Sequence, residues 1–196
     1  MVPSGRTGHP RGLATGRWVA VAAVAVLCLV QPASARGDAF AACVAEVTAR
    51  DLDATVAFQR GLRDLILRDK PEYEALASLN MELQVAMFEA RALETAYLAR
   101  RDPARIKTTE GLSAFRNFDW TEQDAAALAR ESSDYRAQRE NVARLRASSD
   151  GHPDWPALRD HFGMQVRPDP AYKALKARLS DGGAGLGRAL QACRAE

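Results

Sequence analysis

Apolar residues recur at steps of three and four from about Asp38 to the carboxyl end, and no run alternates β-branched with polar positions. The first pattern belongs to amphipathic helices and the second would belong to strands, so the chain reads as all-α. The first helix is expected from Asp38 to Arg68, on a stripe of Phe40, Val44, Val47, Ala54, Phe58, Leu62 and Leu65. Gly61 interrupts it at a cost of about 1 kcal/mol and marks either a bend or a close crossing. Asp69-Lys70-Pro71 ends it, and Pro71 suits the first turn of a second helix running to Arg101. There Leu76, Leu79, Leu83, Ala86, Ala90, Leu93 and Tyr97 form a heptad-like seam of the coiled-coil kind. Met81, Met87 and Phe88 widen its apolar side, the methionines as core filling.

The pattern weakens beyond Arg101. Asp102-Pro103 predicts a capped short helix from Pro103 to Ala114. The aromatic cluster from Phe115 to Trp120 fits a corner plug or, with Arg116, a ligand pocket. Asp119 with Glu122, or Thr121 with Asp124, fits a capping pattern for one long helix from Thr121 to Ser148. After a turn holding Gly151, Pro153 and Pro156 comes a short amphipathic piece, Trp155 to Met164. Asp169-Pro170 starts the last helix, whose stripe is Tyr172, Leu175, Leu179, Leu186, Leu190 and Cys193, with a break expected at Gly182-Gly183. Residues 71–76 and 170–175 resemble each other as two similar helix starts, which is too little for a repeat. The expected architecture is a single-domain antiparallel helical bundle of about four to six helices over residues 36–196.

The first 35 residues read differently. Arg6, Arg11 and Arg17 lead an unbroken apolar run from Trp18 to Val30, closed by Gln31-Pro32 and the small residues Ala33-Ser34-Ala35. This is the order of a secretory signal peptide over residues 1–35, with the mature chain starting at Arg36. As a helix the apolar run would reach about 20 Å, against about 30 Å for a bilayer core, which favours cleavage over an anchor. Cys28 follows Leu27, a poor setting for lipidation, and fits the apolar core of the signal.

Composition alters this picture in two ways. The chain has 27 basic and 25 acidic residues. Loss of the three leader arginines removes the basic excess, and with it any global reason to attract nucleic acid. Only Cys43 and Cys193 lie beyond the leader, and an even pair in an exported chain is most simply a disulfide, here joining the first helix to the last. Free thiols, a metal pair or bonds between subunits are the alternatives. Chain entropy assigns about 5 kcal/mol to so long a loop.

No motif names a chemistry. His152 and His161 stand outside any nucleophile elbow and lack the His-Glu-x-x-His spacing of a zinc hydrolase. Glu82, Glu89 and Glu94 lack the Glu-x-x-His partners of a di-metal bundle and read as a solvated face. Arg136, Arg139, Arg144 and Arg146 read as a charged outer face, or as a site for an anionic ligand. There is no phosphate loop, dinucleotide fingerprint or nucleic-acid module.

The expectation is therefore an exported, non-enzymatic helical binding protein of the periplasm or cell exterior. It would act as a chaperone-like, adaptor or inhibitory protein on a protein or envelope component. It would use no cofactor, no metal, no nucleic acid and no permanent membrane span. The first alternative is a small helical enzyme with a pocket near Arg116, Trp120, His152 and His161. The second is an envelope metal or stress sensor.

Overall fold

The computed structural model describes residues 33–193, which belong to one compact unit. The basic and apolar segments read above as a secretory signal, Cys28 included, lie outside the described residues. Helix α1 spans Ala33–Asp69 and α2 Glu74–Arg101. Lys70 and Asp102, each ahead of a proline, adopt φ −141° and −150°, because the proline ring disfavours helical backbone in the residue before it. Each proline then opens a single 3₁₀ turn, Pro71–Tyr73 and Pro103–Arg105.

Three expectations for the later elements are corrected. The helix expected over 103–114 is only that 3₁₀ turn, and Asp102 caps nothing with its side chain. Ile106 is instead extended and buried, Gly111 takes φ 88°, and a one-turn helix α3 forms at Leu112–Arg116. The helix expected over 121–148 is two, α4 at Glu122–Glu131 and α5 at Ser133–Ser149. Ser132 breaks them apart with φ −128° and ψ 116°, and its hydroxyl accepts the Tyr135 N–H at 3.1 Å to cap α5. Leu128 and Tyr135, on either side of the break, bury in one cluster. After α6 (Trp155–His161) the chain loosens into a π turn, Phe162–Val166. The third correction is α7, which runs unbroken over Pro170–Ala192 and carries Gly182 and Gly183 inside it. Asp169 caps it, accepting the Ala171 N–H at 2.6 Å.

The long helices pack as α5 on α2, α2 on α1 and α1 on α7. Contacts fix the directions. Arg63 of α1 donates to Ser78 of α2, across their connecting turn, so the pair is antiparallel. Tyr135 reaches Glu94 and Gln138 reaches Ala86, so α5 runs back along α2. Leu175 crosses Gly61, and Cys193 is disulfide-bonded to Cys43, so α7 is antiparallel to α1 and the first and last helices are tied. Gly61 therefore marks a close crossing.

The main core lies at the disulfide end, where Phe40, Val44, Leu98, Phe115, Phe118 and Leu190 are buried together. A second cluster around Ile66, Leu76 and Leu158 fills the α1–α2 turn, and a third, Leu83 with Ala86 and Leu145, joins α2 to α5. No helix of the described residues is long and apolar enough to cross a membrane.

Candidate functional site

The stripe of α1 carries Asp51 and Thr55 where its step of three and four calls for apolar residues, and both are buried. A buried carboxylate needs a partner. Asp51 finds it in Arg116, at the end of α3, whose Nε donates to Asp51 Oδ2 at 2.8 Å and whose Nη2 donates to Oδ1. This fork-to-fork pair fastens the 112–120 segment to α1. Arg91 of α2 holds the same segment from the other side. Its Nε donates to the Arg116 carbonyl at 3.0 Å and its Nη2 to the Phe118 carbonyl at 3.2 Å, while its guanidinium lies 3.7 Å from the Phe118 ring centre. Two helices thus clamp an irregular strip, α1 through the Asp51 carboxylate on Arg116 and α2 through Arg91, which satisfies two of its backbone acceptors.

The strip delivers Trp120 between α2 and α5. Its indole meets Tyr97, Phe118 and Tyr135 edge to face at 6.0, 6.1 and 6.3 Å. Tyr135 donates its hydroxyl to Glu94 Oε1 at 2.9 Å, and Glu94 Oε2 accepts from Arg91 Nη1 at 2.9 Å. Burial, with the Glu94 carboxylate beside it, pushes the Tyr135 phenol up to about 12. The start of α4 is fixed by a capping box between Thr121 and Asp124, and Arg105 grips both Asp124 oxygens at 3.1 and 2.8 Å. That pair, with the Thr121 cap, holds the Asp124 carboxyl well below the usual carboxylate range.

Above this support lies an open cleft of about 740 Å³ between α2, α5 and the 113–122 strip. Phe88, Trp120, Tyr135 and Val142 give it apolar surface, and Arg91, Arg116, Arg139 and Arg146 ring it. Met87 also lines it and is 38% exposed, so this methionine, expected as core filling, serves the cleft wall instead.

Of the four residues singled out as ligand-facing, Arg116 and Trp120 come together in this cleft. His152 and His161 do not line it. His152 sits in the turn after α5, where its Nδ1 accepts the Asp154 N–H at 3.3 Å. His161 is buried at the end of α6, 6.1 Å from the Tyr73 ring, and its Nε2 has no partner among the described residues. Among the described residues no three of His, Cys, Asp and Glu are placed to hold a metal ion. Asp51 and Arg91 are the site residues that periodicity leaves unassigned; Glu94, expected on a solvated face, is instead held by Arg91 and Tyr135, while Arg139 and Arg146, expected on a charged outer face or at an anion site, line the cleft. The signal for Asp51 was a charged side chain in a slot of an apolar stripe; Glu94 sits the same way between Ala90 and Tyr97.

Comparison with protein-family models, with curated proteins and with solved structures found no match.

Proposed function

We propose that this is an exported, non-enzymatic helical binding protein that works by receiving a compact ligand in the cleft between α2 and α5. The observation that carries the reading is the cleft itself: open, about 740 Å³, with apolar and aromatic surface among its charged groups and built on a base in which Arg91, Arg116 and Tyr135 are hydrogen-bonded. Sites for small molecules are concave, mostly apolar and pre-formed, commonly about 300–1,000 Å³. Of the forms such a protein takes, a carrier fits better than a chaperone-like or adaptor protein with a broad greasy face. Met87 and Met164 are the exposed large hydrophobics among the described residues, and they form no such face. The enzyme reading drew on four residues and keeps two of them in one place. Export rests on the leader pattern, and the Cys43–Cys193 bond suits an oxidising compartment.

The test is a thermal-shift screen of the purified protein against chemically mixed small acids, bases and neutral compounds, run beside Ala143→Trp. Ala143 is exposed on the cleft wall, so the indole fills the cleft without entering the core. At least one chemical class should raise Tm by about 5 °C at saturating concentration, and Ala143→Trp should abolish the rise. A screen in which no class separates the two proteins overturns the reading.

A further inference from the structure

The charges in the cleft divide into those already used and those still available. Arg116 is spent on Asp51, and Arg91 on Glu94 and two carbonyls. Glu94 also takes the Tyr135 hydroxyl. Arg139 and Arg146 have no carboxylate within 4.0 Å among the described residues. Arg139 lies 6.0 Å from the Tyr135 ring centre, and Arg146 Nη2 is 3.9 Å from Met87 Sδ, across the cleft. They are seven residues apart on α5, two turns or about 10 Å along one face. The wall between them is Val142 and Ala143.

We propose that the ligand of this cleft is a small amphipathic monocarboxylate, its carboxylate held between Arg139 and Arg146 and its apolar body laid over Val142 and Phe88 toward Trp120. Three observations fix the class. The two unpaired guanidiniums offer planar donor forks that match a carboxylate. Phe88, Trp120, Tyr135 and Val142 give the cleft apolar and aromatic surface beside the two arginines, and the Tyr135 hydroxyl is already bonded to Glu94, so the body of the ligand is best met there by apolar groups. Four arginines line the cleft with Glu94 and Glu122, and Asp51 pairs with Arg116 from behind it, which leaves one positive charge in excess. A single negative charge balances that excess, whereas a phosphate monoester would overshoot it. The inference rests on the binding reading above and adds the chemistry of the ligand.

Isothermal titration calorimetry of the purified protein with 2-naphthoate and decanoate, their uncharged amides, and 2-naphthyl phosphate tests it. The carboxylates should bind about tenfold or more tightly than their amides, and more tightly than the phosphate. In Arg139→Gln/Arg146→Gln the carboxylates should fall to the affinity of the amides, with unfolding by heat unchanged because both side chains are exposed. Amides that bind as well as the acids, or tighter phosphate binding, overturn the monocarboxylate while leaving the cleft reading intact. Failure of every probe on the parent protein overturns the monocarboxylate, and the mixed-library screen then decides the cleft reading separately.

Discussion

The pair of Asp51 and Arg116 shows how a single polar residue in an apolar stripe organises a site. Asp51 is 6% exposed, and among the described residues its charge is met by one guanidinium reaching in from another element. Replacing Arg116 by Gln leaves the carboxylate without its charge partner and should destabilise the protein by about 3 kcal/mol. Arg116→Gln combined with Asp51→Asn should lose less than the sum of the two single changes. Urea unfolding of the four proteins measures this coupling, and additive losses would show that the pair carries no interaction of its own. Tyr135 makes a different statement. Its folded phenol ionises near 12, above the value of about 10 for an exposed tyrosine. The neutral form is favoured in the fold, so this contribution is fully present below pH 10 and is lost as pH rises from 10 through 12. Ultraviolet titration should therefore show one phenol ionising near pH 12, and Tyr135→Phe should remove that step. These two residues also mark the limit of reading the chain alone. The stripe of α1 was legible because a helix repeats, but which distant cation answers Asp51 depends on where a loop lands, and no local pattern encodes that.

At the scale of elements, the carboxyl ends of the long helices α1 and α2 are legible to within a residue, since proline stops and sustained stripes act locally, whereas α1 begins at Ala33, ahead of the expected Asp38, and α2 at Glu74, after the 3₁₀ turn at Pro71. The breaks are not legible. Ser132 in a helical context is a weak signal, and Leu128 and Tyr135, seven residues apart, would share one face of an unbroken helix as well, so the apolar stripe gives no warning of the break. Ser132→Ala should lower stability by about 1 kcal/mol, with α5 frayed at its start in hydrogen exchange at Tyr135. Thermal or urea unfolding unchanged by this substitution would assign the break to packing alone. The opposite error occurred in α7, where glycines argued for a break and tertiary contacts overrode them. At Gly182 and Gly185 an added Cβ meets nothing within 4 Å, whereas at Gly61 it meets Leu175 at 2.9 Å. Gly182→Ala and Gly185→Ala should therefore each stabilise by about 0.5–1 kcal/mol through helix propensity. Gly61→Ala should not, because Leu175 must shift to admit it. Urea midpoints of the three variants separate open positions from the crossing.

For the whole molecule, the two ends of the described fold are held by one covalent bond and one shared cluster. Cys43 and Cys193 join α1 to α7 beside Phe40, Val44 and Leu190, so cross-link and core reinforce the same place. The cleft lies on the other side of α2, on walls joined by Leu83, Ala86 and Leu145. A long closed loop removes much unfolded-chain freedom, about 5 kcal/mol by chain entropy, and native bonds of this kind commonly deliver about 2–5 kcal/mol. Reduction, or Cys43→Ser with Cys193→Ser, should lower the unfolding free energy by that amount. The loss should appear first as faster hydrogen exchange in the last turns of α7, around Gly187 to Leu190. Amides of α5 between Gln138 and Leu145 should keep their order of protection, because their packing on α2 does not pass through the bond. Urea unfolding with and without reductant, followed by exchange read by residue, checks both parts. Protection lost equally from α5 and α7 would mean that the disulfide supports the cleft as well as the chain ends, and that oxidation state governs ligand binding directly.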